Sequence, residues 1–197
     1  MKPFLLLASA LLALPAPSLA QPRIVFENAQ LRVYRAGAGP LTGVDHGPGV
    51  VVSLDDAGGS TMGAAAWLDD VAAQPARGSV IVVRLLPKMP AAPAAAAASK
   101  PGDAPFTGMS FKPTFENDRV SLIRARMEVG AKEGFHTHAS DTLVVHLSGG
   151  EIEDTADGRT VVNRWKHGDV EFEARGSSHS ARNVGGAVDV VLVALKP

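Results

Sequence analysis

Two imidazoles stand one residue apart in the run GAKEGFHTHASDTLVVHLSGG, residues 130–150: His136 and His138. A third, His146, follows in the same run, in a chain with only six histidines. In a β-strand, residues i and i+2 leave from the same face, roughly 6–7 Å apart along the chain. His136 and His138 therefore enter the same space, which suits two nitrogen ligands on one ion. Thr142 and His146 share that parity if the strand continues, with His146 about 13 Å beyond Thr142 and so deeper than a first ligand shell. Downstream, GDVEFEARGSSHSARN (168–183) supplies His179 and Asn183, with Gly168 and Gly176 placed to make turns. The chain has no cysteine, so any metal site must use His, Asp or Glu.

The elements that must position these residues read as β. Segments such as RVSLIRARMEV, DTLVVHL, TVVNRW, DVEFEA and DVVLVAL are short, rich in β-branched residues and bounded by Gly, Asp and Asn. No segment beyond the first twenty residues keeps a helical apolar period. Many short strands separated by turns predict a sandwich, barrel or jelly roll. The formal charge of −1 gives no basic excess for nucleic acid or an anionic membrane. Aromatic residues at 5% exclude a base-stacking platform.

Three boundaries divide the chain. Residues 1–20, MKPFLLLASALLALPAPSLA, have Lys2, a short apolar run and Ser18-Leu19-Ala20, the pattern of a cleaved secretory signal. The mature chain is then expected to start at Gln21, in the periplasm or secreted, with no membrane segment after cleavage. Residues 88–106 are rich in alanine and proline and read as a linker. The flanking halves, 21–87 and 107–197, repeat each other in order. Phe26-Glu27-Asn28 matches Phe115-Glu116-Asn117 at an offset of 89 (115 − 26), and the closing Leu-x-Pro segments match at 110 (197 − 87). Trp67 before Asp70-Val71 is matched with Trp165 before Asp169-Val170.

These residues carry a family resemblance. GAKEGFHTH followed by Gly149 resembles the first motif of the cupin superfamily. Gly168, Gly176, His179 and Asn183 resemble the second, with Ala174 where proline is usual. The resemblance implies a double-stranded β-helix, or jelly roll, with two tandem cupin-like halves. It implies that His136, His138 and His179 ligate one divalent transition metal. The family's usual glutamate is replaced by Thr142, and the adjacent Asp141 has the opposite parity. A three-histidine site is therefore expected, with open coordination positions and a preference for Fe, Zn, Cu or Ni. The first half offers only His46 near the corresponding position and no histidine from 47 to 87, which makes it a degenerate copy.

The expected function is that of an exported metal-binding cupin with its single site in the C-terminal barrel. Thr142, His146 and Arg126 are candidates to line a pocket for a small molecule. His146 also suits a strand histidine bonded to a neighbour. Arg126, on one strand face with Arg124, also suits a solvated surface. His167 is expected in solvent. No general base is visible beside the ligands. A dioxygenase-like or isomerase-like enzyme, a non-catalytic module for a small ligand or metal, and a structural cupin without metal remain the alternatives. Pairing of exposed jelly-roll sheets makes a homodimer a candidate assembly.

Overall fold

The computed structural model describes residues 21–87 and 106–196. The expected leader at 1–20 lies outside them, as does the expected linker apart from Phe106. Every regular element among the described residues is a strand. None is a helix long and apolar enough to cross a membrane.

The first half forms β1 (Arg23–Glu27), β2 (Leu31–Ala36), β3 (Gly49–Ser53), β4 (Ala65–Leu68) and β5 (Val80–Leu85). They make one antiparallel sheet in the order β1-β2-β5-β3-β4. The second half forms β6 (Thr107–Glu116), β7 (Val120–Thr137), β8 (Thr142–His146), β9 (Gly150–Ala156), β10 (Arg159–Trp165), β11 (Val170–Glu173), β12 (Ser178–Asn183) and β13 (Val188–Leu195). Their order is β10-β9-β12-β7-β13-β8-β11, with β6 also on β7.

Strand β7 belongs to both walls of this jelly roll. Residues 120–127 pair with β13, while residues 132–137 pair with β12. Between the two stretches stands Gly130 at φ 73°, a left-handed conformation that costs glycine little. One wall is thus β6-β7-β13-β8-β11 and the other β7-β12-β9-β10. They meet again where Trp165 at the end of β10 stacks on His146 of β8, rings 4.7 Å apart.

The first wall has the strand order of the first-half sheet. β1, β2, β5, β3 and β4 correspond to β6, β7, β13, β8 and β11. Local hydrogen bonds repeat as well. Asn28 Oδ1 accepts from the Gln30 and Leu31 amides, as Asn117 Oδ1 does from the Arg119 and Val120 amides. The Leu86 amide donates to Gln30 O, as that of Lys196 does to Arg119 O. The first half has no counterpart of β9, β10 or β12 among the described residues, so it is one sheet and not a second barrel. Its outer face is covered instead by Leu41, Val44 and Val71 from the loops.

One tryptophan match changes. Trp67 lies across from Val50 in β3, and the corresponding place across from Leu143 in β8 is held by Phe172. Trp165 sits on β10, which the first half lacks.

The two corresponding sheets pack face to face over one core. Leu31, Val33, Val50, Val52 and Ile81 meet Leu122, Leu143, Val145, Val191 and Val193. All are buried. Phe26 stacks on Phe172 at 5.4 Å across the same interface. Each such side chain contributes about 1.5–3 kcal/mol when fully buried, so neither sheet is stable with this face in water. Residues 106–197 expressed alone are expected to aggregate or to lose near-UV circular dichroism. A monomeric, cooperatively unfolding fragment would show that the first half is dispensable for folding.

Candidate metal centre

The site lies inside the jelly roll, where β7, β12, β11 and β9 meet. His136 on β7 is the cross-strand partner of His179 on β12. His138 follows the end of β7, and a turn holds it there. The His138 amide donates to Ser177 O, and the Gly176 amide donates to His138 O at 2.9 Å. Gly176, at φ 84°, makes this turn possible.

Two of the rings are oriented through Nδ1. His136 Nδ1 donates to Gly134 O at 2.9 Å, and a carbonyl only accepts, so Nε2 carries the lone pair. His179 Nδ1 donates to Asp154 Oδ1 at 2.8 Å. Gly134 and Asp154 are outer partners of the kind that fix the tautomer of metal-binding imidazoles. His138 Nδ1 faces Glu173 Oε2 at 3.5 Å without a hydrogen bond. Ligand atoms of all three rings lie within 4.8 Å of one another. His138 Nε2 and His179 Nε2 are only 3.1 Å apart. Two lone pairs at that distance repel unless a proton or a cation lies between them. The donor set therefore fits a divalent ion that takes neutral imidazole.

Carboxylates surround the triad. Glu133 Oε1 is 3.6 Å from His136 Nε2. A β-bulge brings it there: four residues of β7 (133 to 136) span the same ladder as three of β12 (179 to 181). Glu171 and Glu173 leave β11 on the side opposite Val170 and Phe172, which pack on the core. Glu173 is also the cross-strand partner of Thr142, so an acid stands one strand away from the position that lost it.

Burial and crowding set the charges. His138 is pushed down to about 4, chiefly by burial and then by His179 and His136, so it is neutral and ready to ligate. Burial pushes Glu133 up, against the pull of His136 and His179 and helped by Asp154 and Glu171. Glu173 is raised to about 8, by burial first and then by Glu171, Glu133 and Asp154. A divalent cation would reverse that balance.

The other expected site residues fall in different places. Thr142 is buried on β8, its hydroxyl directed at Ser140 O. His146 is 1% exposed, with its Nε2 3.7 Å from Glu171 Oε2 and its ring on Trp165. Arg126 is not brought to the triad: its guanidinium binds Glu128 and Asp189. Arg124 reaches Met62 O in the first half. Asp141 accepts from Gln30 Nε2 and the Arg175 amide, which ties the halves together and occupies both its oxygens. His46 is exposed and pairs with Asp70 at 2.8 Å. His167 is not free in solvent, since its Nδ1 donates to Leu147 O. Asn183 is buried, and its amide donates to Met127 O, Glu128 O and Gly186 O. Its role is to close the turn after β12 onto β7.

Four acids escaped the sequence reading: Glu133, Asp154, Glu171 and Glu173. For Glu171 and Glu173 a signal exists, because DVEFEA alternates acid and apolar residues with the period of a strand. Glu133 has none, since its spacing to His136 faces inward only through the bulge.

No protein-family model matches the chain, and no curated protein matches it. Solved structures do resemble it. A cupin domain from Bordetella pertussis Tohama I is 22% identical over 46% of this chain and 96% of its own, with a TM-score of 0.43. An RmlC-like cupin from Shewanella frigidimarina is 18% identical over 46% of this chain and 78% of its own, TM-score 0.39. KdgF from a Halomonas species is 18% identical over 46% and 80%, also at 0.39. The chain is thus similar to cupin domains over just under half its length, and the cupins are the family that the motifs at His136, His138 and His179 resemble.

Proposed function

We propose that the second-half barrel is a metal-dependent centre that acts on a small molecule by proton transfer. Nε2 of His136, His138 and His179 would hold one divalent ion of Fe, Zn, Cu or Ni. The observation that carries this reading is the pair of facing Nε2 atoms at 3.1 Å, with the Nδ1 of His136 and His179 engaged by Gly134 and Asp154. When bound, the ion supplies Lewis-acid polarisation and, if it is Fe or Cu, access to oxygen chemistry. Asp154 and Gly134 orient the rings. Glu133 and Glu173 stand beside them, their carboxyls pushed up by burial, and Glu133 Oε1, 3.6 Å from a ligating nitrogen, is the atom placed to take or give a proton. The general base that the motif positions lack is in this way supplied by the bulge. The reading includes export: cleavage of residues 1–20 leaves a mature chain from Gln21 in the periplasm or outside the cell.

Elemental analysis of residues 21–197, purified from the periplasm without tag or chelator, is expected to give about one equivalent of one of these metals. His136→Ala or His179→Ala should remove it and His46→Ala should not. Wild-type protein that holds no metal and takes none up on reconstitution would overturn the reading. Iron or copper with oxygen uptake would turn it toward a dioxygenase.

Glu173 gives a second expectation, for the metal-free protein. Its folded value of about 8 stands above the ordinary 4.5, so its contribution to stability is full below pH 4.5 and is lost as pH rises through 8. Glu173→Gln should remove that loss and raise the Tm of metal-free protein above pH 8 by about 5 °C. An unchanged Tm would mean that Glu173 is solvated in the metal-free state.

A further inference from the structure

The barrel holds more acidic groups than the charge of one divalent ion can balance. Glu133, Asp154, Glu171 and Glu173 share it with the three histidines. Asp154 accepts a hydrogen bond from His179. The other three carboxylates accept none from the described residues. Each faces only an imidazole nitrogen, at distances beyond a hydrogen bond: Glu133 to His136 at 3.6 Å, Glu173 to His138 at 3.5 Å, Glu171 to His146 at 3.7 Å. The charges that act on Glu133, Glu173 and His138 are carboxylates and imidazoles, with no lysine or arginine among them. Arginines of the same strands are engaged elsewhere, Arg126 by Asp189 and Arg182 by Glu153.

A second observation points to the same wall. His146 is 1% exposed, and neither of its ring nitrogens has a hydrogen-bond partner. Its Nε2 is directed at Glu171, and its ring lies parallel to Trp165, 15° between planes. A buried imidazole left unpartnered is unfavourable unless a further group completes the network. Glu171 itself remains 30% exposed although it faces the barrel, so its carboxylate borders open space.

We infer that the Glu171–Glu173 wall, backed by His146 and Trp165, binds the positively charged end of an organic substrate, a protonated amine. This rests on the metal reading for its catalytic sense but not for its electrostatics. A divalent ion balances two of four carboxylates. An alkylammonium supplies a further charge and three donors to acceptors that have none. A carboxylate or phosphate substrate would instead meet uncompensated like charge. A second metal fits less well, because the triad is the one group among the described residues whose donor atoms converge within 4.8 Å.

The test uses zinc-loaded protein of residues 21–197 and three probes of equal length: butylammonium, 1-butanol and butanoate. Affinities are measured by calorimetry at about pH 8.5. The amine stays protonated there, as lysine-like amines titrate near about 10.4. Butylammonium is expected to bind at least about 10-fold more tightly than butanol, and butanoate most weakly. Glu171→Gln should erase the advantage of the cation and leave the zinc content at one equivalent. If that variant does not fold, added salt must weaken butylammonium and not butanol in the wild type. Tightest binding by butanoate, no binding of butylammonium, or a preference that survives Glu171→Gln would overturn the inference. Metal-free protein separates the two readings. A cation preference in a protein that takes up no metal removes only the metal centre, whereas metal uptake with an anion preference removes only the amine.

Discussion

Everything in the site depends on strands that face two ways. In β8, Leu143 and Val145 point into the core shared with the first half, which leaves Thr142 and His146 for the barrel. In β11, Val170 and Phe172 pack on that core while Glu171 and Glu173 face inward. In β13, Val191, Val193 and Leu195 do the same. A slip of one residue would exchange the two sets, placing carboxylates in the apolar core and valines in the cavity. The large apolar interface between halves therefore fixes the register, and the register aims the acids. The first half acts on the chemistry in this way without contributing a ligand.

The corresponding sheet of the first half shows what happens when only one face is kept. Ladder partners place Gly49 where β8 has Thr142, Ser53 where it has His146, and Ala66 and Leu68 where β11 has Glu171 and Glu173. The apolar face survives as Val50, Val52, Ile81 and Val83, and the polar face has been replaced throughout. Without β9, β10 and β12 that face has no opposite wall. It is covered instead by loop residues around Leu41 and Val71. Among the described residues the first half thus lacks both the second wall and the histidine triad.

How much of this was legible in the sequence follows from periodicity. His136, His138 and His179 were readable because a strand has period two and the turns around Gly168 and Gly176 fix the second motif. The repeat was readable through Asn28 and Asn117, whose identical turns need the same residue. The missing wall was harder to see. The halves differ by 21 residues (110 − 89), and ladder partners show where the difference falls. The offset is 93 at β3/β8 and 105 at β4/β11, so 12 of them lie between β8 and β11, where the β9–β10 hairpin forms. A length difference does not announce whether it is a loop or a hairpin. Trp67 and Trp165 misled for the same reason, since one follows that insertion in fold order, on β4, and the other lies inside it, on β10. Glu133 was hidden by the bulge, because simple alternation places it on the opposite face from His136.

The acids also change the chemistry that three histidines alone suggest. Three neutral imidazoles leave an ion with its full charge and favour an anion to complete the sphere. Here the anions are already present in the wall. Glu133 lies beside His136, Asp154 and Glu173 stand behind His179 and His138, and Glu171 faces His146. In the absence of cations, burial first and then the neighbouring acids push the Glu133 and Glu173 carboxyls up. Under the proposed reading, a metal or an amine entering among these acids would compete with their protons, so its binding would release acid. The proposed metal site and the proposed selection by charge thus rest on one arrangement: acids placed by strand register around imidazoles whose donor atoms converge.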